Sequence, residues 1–345
     1  MLYIHNLKNQ GMRKLLKNKD TEIMSNVFKN PVLDKNVGDP TIWECDGVYY
    51  LYYTGCFDYT IYKSIDMVNW EDTGVCPFTQ DTKYQLRNLA YSYNSDHVIY
   101  APTVVKNGEN WLMYISITWK CLTVLKSNSP LGPFKFSNGL PYVLVDEKIS
   151  GLPITFEDSC VAYDHNEKQW YLMFGSYGNL TRTTLQDNGL YLTNGAKFEH
   201  VAGTPKCNPR KIYEGLYTYY RNGYWYLFAA KGDYTSSMNP YEVVVGRSKK
   251  LGGVFRNKWG LPMKWGFATN ILKPDSVEHY LGGGHTGEIF EDKKGNTYIF
   301  YQRQRVNELH YRPLFLQRIY WDEKGWPYFK DGVTQMIDEK PILNI

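Results

Sequence analysis

Four ionisable side chains stand at comparable places in a repeating pattern. Asp39, Asp158, Glu214 and His285 each fall 12 to 14 residues ahead of an aliphatic (Leu51, Leu172, Leu227, Ile299) at the centre of an aromatic-rich segment. Two carboxyl groups on opposite sides of a glycosidic bond can hydrolyse it, one protonated to help the leaving oxygen depart and one ionised to activate water. A third carboxylate nearby raises the pKa of the more desolvated member, which keeps a Glu protonated near neutral pH. Taken singly, each group has a plainer reading: Asp39-Pro40 opens a turn, Asp158-Ser159 ends a strand, Glu214-Gly215 lies in a solvated loop. Recurrence at one position of a repeat sets them apart.

The elements that would position them follow from that repeat. A turn followed by an aromatic-aliphatic-aromatic strand occurs five times, centred on Leu51, Leu112, Leu172, Leu227 and Ile299, at intervals of roughly 55 to 72 residues. Each interval holds about four short strands, which is one propeller blade. The reading is an all-β, five-bladed β-propeller forming one domain over residues 28–345, behind a polar lead-in over 1–27. A two-sheet sandwich is the competing all-β plan, but it has no need of five equivalent units. Helical periodicity of useful length is absent after residue 28. In a propeller the innermost strands run the same way along the axis, so the residues opening each repeat ring one mouth. The second blade offers Tyr100-Ala101-Pro102-Thr103 there, without a carboxylate. At the third, strand alternation lets only one of Glu157 and Asp158 face the axis.

Composition narrows the function classes. The chain has 43% hydrophobic and 21% charged residues, a globular profile. A net charge of +4, with basic residues scattered beyond the first nineteen, leaves no nucleic-acid footprint. No segment reaches the length of a membrane span, and Leu15-Leu16 is too short an apolar run for a secretion signal. Six cysteines at irregular spacings, with no CxxC pair, signal neither zinc nor a disulfide framework, so a reducing, cytoplasmic setting is expected. The 31 Tyr and 10 Trp suit both sugar clefts and strand-rich cores; for any single ring the core is the commoner fate.

Several motifs carry a resemblance. Val37-Gly38-Asp39-Pro40 with Gly47-Val48-Tyr49-Tyr50-Leu51, Ser64-Ile65-Asp66-Met67-Val68-Asn69-Trp70, Phe156-Glu157-Asp158-Ser159, Tyr213-Glu214-Gly215, Gly283-Gly284-His285 and the closing Tyr320-Trp321-Asp322 segment are similar to those of the family-43 glycoside hydrolases. That family is the arabinanase, α-L-arabinofuranosidase and β-xylosidase group. The resemblance implies Asp39 as general base, Glu214 as general acid, and Asp158, preferred over Glu157 on the motif match, as the residue that adjusts the acid and orients the sugar. It places Tyr100, Ala101, Ser176 and Tyr177 at the sugar. His285 would lie beside an axial, mostly water-coordinated Ca2+, with no organic cofactor. Two departures stand out: Tyr100-Ala101-Pro102-Thr103 where the family has Trp-Ala-Pro-Asp or Trp-Ala-Pro-Glu, and Ser159 where it has proline. The expected activity is inverting hydrolysis of α-L-arabinofuranosyl linkages in arabinan or arabino-oligosaccharides, because Val243-Val244-Val245-Gly246-Arg247-Ser248 resembles the arabinanase version of that strand. A β-xylosidase and a catalytically silent sugar-binding propeller are the alternatives. The expected partner is a saccharide, not nucleic acid or membrane, and the expected state a monomer.

Overall fold

The computed structural model describes residues 26–94, 99–204, 213–308 and 310–343. Five antiparallel sheets follow one another along the chain, four of four strands and the last of five. Blade 1 comprises Thr41–Cys45, Val48–Tyr52, Tyr62–Ser64 and Glu71–Asp72; the innermost strands of blades 2 to 5 are Ile99–Asn107, Cys160–Asp164, Tyr213–Arg221 and Tyr280–Glu291. Each innermost strand touches the next, and the fifth touches the first, so the blades close into a ring. The fold is the five-bladed propeller that the repeat predicts. Asp46-Gly47 and Asn222-Gly223 link first and second strands with both residues at positive φ, the turn whose twist matches the strands it joins.

The repeat's central aliphatics all end in the core: Leu51, Leu172, Leu227 and Ile299 have no exposed surface. Burying each contributes about 1.5–3 kcal/mol. Twisted blades splay apart with distance from the axis, and large rings fill the widening wedges. Tyr52 and Phe134 fill the wedge between blades 1 and 2, Phe156 and Phe174 that between 2 and 3, Trp225 and Phe255 that between 3 and 4, Tyr301 and Phe315 that between 4 and 5, and Phe28 and Phe300 that between 5 and 1. Most of the aromatic surplus is therefore core.

The two ends of the chain fasten the ring. Val27–Lys29 pairs antiparallel with Ile337–Glu339. The Asn30 side chain donates to the Leu316 and Gln335 carbonyls at 2.7 and 2.9 Å and accepts from Leu316 N–H at 2.9 Å. The first strand thus begins at Val27, at the very end of the proposed lead-in, whose residues 1–25 lie outside the described ones.

Besides the single turn Glu147–Ser150, one helix among the described residues departs from the expectation that helical stretches of useful length are absent. Gln80–Ser92, between blades 1 and 2, is capped by Thr79, whose hydroxyl accepts from Thr82 N–H at 3.2 Å. Thr82, Leu86 and Ala90 recur every fourth residue and are buried against the wedge between those blades. Only Leu86 is a large apolar residue, so the stripe is real but faint in the sequence.

Candidate active site

Each innermost strand, or the stretch leading into it, breaks its regular backbone at an equivalent place. Asp39, Ala101, Asp158, Gly215 and His285 all have left-handed φ, from 41° to 59°. Such conformations cost on the order of 1–3 kcal/mol in a non-glycine residue and persist only where the surroundings over-determine them. Pairing registers slip at the same places in blades 2, 4 and 5. A bulge of this kind re-aims a side chain out of strand alternation, and it does so at the same level of the ring.

The result is a buried cluster. Asp39, Asp158, Glu214 and His285 are each only 7–9% exposed. The Asp39 Oδ1 atom meets Arg312 Nη1 at 2.6 Å and His285 Nδ1 at 3.0 Å; Oδ2 accepts from the Thr54 hydroxyl at 2.5 Å. Gln302 Oε1 accepts from Asp39 N–H at 2.6 Å. A carboxylate has about four lone-pair sites, so three side-chain donors leave one on Oδ2 for a water. Asp158 Oδ2 accepts from the Ser176 hydroxyl at 2.8 Å and from Gly215 N–H at 3.0 Å, which ties blade 3 to the residue after Glu214. Tyr241 donates its phenol to Glu214 Oε1.

The charges separate accordingly. Burial alone would raise the Asp39 carboxyl, but the Arg312 guanidinium, then the His285 ring and the hydrogen bonds from His285 and Thr54, outweigh it and hold Asp39 well below the usual carboxylate range. Burial raises Glu214, and the negative charge of Asp158 adds to it, pushing it up to about 8. Asp158 is also raised, chiefly by burial. His285 moves up to about 9: burial would lower it, and the charges of Asp39 and Asp158 overcome that. At neutral pH the site holds an ionised Asp39 and a protonated Glu214, two carboxyls with opposite assignments set by their surroundings.

Glu157 joins Asp158 in the cluster. Asp158 precedes its strand in left-handed backbone, so alternation does not choose between them. Half-buried Glu157 is pushed up to about 8 by burial and by Asp158 and Glu214. Among the residues expected at the sugar, Tyr177 is 60% exposed in left-handed backbone (φ 55°), and Tyr100 packs at 5.9 Å against the exposed ring of Trp119. Ser176 is buried and spends its hydroxyl on Asp158; Ala101 contributes backbone, its N–H donating to the Thr54 hydroxyl at 2.8 Å.

Sequence reasoning missed Arg312, Thr54, Gln302, Tyr241 and Tyr234, the last of which lies under the Arg312 guanidinium at 5.1 Å. Two of these, Thr54 and Gln302, occupy the repeat in a way that could have been read, as does Ser176, which was expected at the sugar and not on Asp158. Thr54, Ser176 and Gln302 fall three or four residues after the central aliphatics of blades 1, 3 and 5, and all three hold Asp39 or Asp158. Ser116 is the counterpart in blade 2, which lacks the carboxylate, and its buried hydroxyl finds no partner among the described residues. Gly38 carries a further signal: a Cβ there would lie 2.1 Å from the Arg312 guanidinium carbon, so only glycine lets Arg312 reach Asp39.

Among the described residues no three His, Cys, Asp or Glu groups converge on one point, and His285 already uses Nδ1 on Asp39. A cavity of 380 Å³, to which all five innermost strands contribute, is lined by oxygen-bearing side chains that include Ser159, Thr286 and Glu288. These suit a hard cation that keeps most of its water.

The sequence profile described as glycosyl hydrolases family 43 matches residues 28–327. The chain belongs to this family. It is a glycoside hydrolase of that group. It is 25% identical over 331 residues to an extracellular exo-α-(1→5)-L-arabinofuranosidase, ArbA, of Cellvibrio japonicus, covering 89% of this chain and 88% of that one. It is 26% identical over 332 residues to xylosidase/arabinosidase 43B of Humicola insolens, covering 88% of this chain and 55% of that protein, so it spans about half of that relative's length. The fold matches the α-L-arabinanase of Cellvibrio cellulosa with a TM-score of 0.72 at 21% identity, over 87% of this chain and 98% of that one. An exo-1,5-α-L-arabinanase from a bovine ruminal metagenomic library matches with a TM-score of 0.69, also at 21% identity, over 88% and 99%.

Proposed function

We propose that this family-43 hydrolase cleaves α-L-arabinofuranosyl linkages in arabinan or arabino-oligosaccharides with inversion, Glu214 acting as general acid and Asp39 as general base. The observation that carries the roles is the split in protonation: Glu214 pushed up to about 8 beside an Asp39 held far below it. Glu214 gives its proton to the departing glycosidic oxygen as that bond to the anomeric carbon breaks. A water on the free lone pair of Asp39 attacks the same carbon from the opposite face and loses its proton to Asp39. The products are an alcohol and an inverted hemiacetal, and solvent exchange returns a proton to Glu214 and takes one from Asp39. Asp158 keeps Glu214 neutral through its charge, and Arg312 and Thr54 fix the direction of Asp39.

The arabinose preference rests on the arabinose-directed names of the relatives, one of which also names xylose. In a related arabinanase structure the bound molecule is arabinohexaose. A bound Ca2+ is part of the proposal; oxygens lining the axial cavity would hold it, His285 Nε2 could join them only if the ring gave up its proton, and the ion would supply fixed positive charge near the base. The test is a rate comparison on nitrophenyl α-L-arabinofuranoside, nitrophenyl β-D-xyloside and linear arabinan, with product sizes recorded. Turnover of the xyloside above both arabinosyl substrates overturns the arabinose reading. No turnover of any, in folded protein, overturns the acid and base roles in favour of a silent binding propeller.

A further inference from the structure

A protonated Glu214 can carry its hydrogen on either of two oxygens, and the choice matters to a leaving group that reaches only one of them. The side chain against Glu214 Oε1 is Tyr241, one residue ahead of the Glu242–Ser248 strand and 6% exposed. The glycine run of blade 5 makes room for it. A Cβ on Gly284 would lie 2.8 Å from the Tyr241 ring, and one on Gly282 would lie 2.8 Å from the Tyr241 backbone nitrogen and oxygen. Gly283 N–H donates to the Tyr241 carbonyl at 3.0 Å, so blade 5 grips the backbone as well. The phenol meets Glu214 Oε1 and has no other hydrogen-bond partner among the described residues.

One hydroxyl and one protonated carboxyl share this contact, and only one of them can donate through it. If Glu214 donated from Oε1, its proton would point into the buried phenol, and the phenol hydrogen would be left without an acceptor at the full cost of its lost hydration. Donation by Tyr241 to Oε1 satisfies the phenol and leaves the carboxyl hydrogen on Oε2. We propose that Tyr241 is a positioning residue for the general acid: by donating to Oε1 it confines the Glu214 proton to Oε2, from which it passes to the glycosidic oxygen. The inference rests on the acid role of Glu214 given above. As the bond to the anomeric carbon breaks, its electron pair goes to the departing oxygen, which takes the Oε2 proton. The O–H pair stays on Glu214, and the same Tyr241 hydrogen bond then supports the new carboxylate. The other titratable groups around Glu214 are Asp158 and Glu157 of blade 3, Asp39 of blade 1, His285 of blade 5 and the phenols of Tyr177 and Tyr234.

The test is Tyr241→Phe, which removes one oxygen from a packed ring, assayed in the full-length protein beside wild type and Glu214→Gln. Two substrates are compared: an arabino-oligosaccharide, whose leaving alcohol needs a proton, and dinitrophenyl α-L-arabinofuranoside, whose leaving phenolate does not. Tyr241→Phe should lose about tenfold to a hundredfold in kcat on the oligosaccharide with KM within about threefold of wild type, and less than about threefold in kcat on the dinitrophenyl substrate. Both rates come from one preparation, so their ratio does not depend on the folded fraction. The alkaline limb of kcat/KM should move to higher pH, because the bond from Tyr241 lowers Glu214 and its removal lets burial and Asp158 raise the group further. The same loss on both substrates, or none on either, overturns the proposal, as does an alkaline limb that stays in place or moves down. Glu214→Gln separates this from failure of the acid role. A split between the substrates in Glu214→Gln but not in Tyr241→Phe removes Tyr241 alone; no split in Glu214→Gln removes the acid assignment and this inference with it.

Discussion

Replacing Glu214 by Gln should abolish most activity and, above neutral pH, make the protein more stable. The folded-state pKa of Glu214 is raised from 4.5 to about 8, so between those values the native chain holds a proton that the unfolded chain has released. Stability attached to this group is therefore complete below about pH 4.5 and is lost as pH rises through about 8, at up to about 1.4 kcal/mol per pH unit. The full shift corresponds to about 5 kcal/mol; this is a ceiling, because Asp158 supplies part of it and relaxes over the same range. Gln is neutral at every pH and keeps the shape, so the variant lacks this slope. Melting curves of wild type and Glu214→Gln, recorded in parallel from pH 5 to pH 9, should start close together and separate by several degrees, with the variant higher. The variant should also lose at least about a hundredfold in turnover, the scale of general-acid assistance. Parallel melting curves at all pH values, or a variant that falls below wild type as pH rises, would refute the claim that this carboxyl is buried at a cost.

The same shifts fix the pH–rate profile: kcat/KM should fall above about pH 8 as Glu214 ionises, while Asp39 stays ionised far into the acid range; Asp158→Asn should move the alkaline limb to lower pH by removing a negative neighbour. Asp39→Asn should cost at least about a hundredfold in turnover without loss of fold, and near-normal rates would remove it from the mechanism. Proton NMR in the first minutes of hydrolysis should show the anomer opposite to the substrate's forming first; early release of the retained anomer means that Asp39 does not work through water. Gly38→Ala, by placing a methyl on the Arg312 guanidinium, should let burial raise Asp39 and bring an acid limb into the pH profile that wild type lacks; an unchanged profile shows that Arg312 is not what keeps Asp39 ionised.

The sequence by itself determined the ring. Five turn-and-strand units with Leu51, Leu112, Leu172, Leu227 and Ile299 at their centres each specify a blade through local turn chemistry and period-two burial, and local patterns are what a sequence shows directly. The repeat also delivered Asp39, Asp158, Glu214 and His285, because equivalent positions in equivalent blades must meet at one mouth. The Gln80–Ser92 helix escaped notice since its buried face, Thr82, Leu86 and Ala90, is small and partly polar. Only the tertiary structure decided how the charges are arranged. Arg312 is 273 residues from the carboxylate it pairs with, and no local pattern says that the far side of blade 5 comes round to touch the start of blade 1. Glu157 joins the cluster for a related reason: left-handed backbone at Asp158, whose side chain accepts from Gly215 N–H of blade 4, cancels the alternation that would have turned one of the two away. Which carboxyl is acid and which is base depends on burial and on charges brought in from other blades, quantities that exist only once the ring has closed.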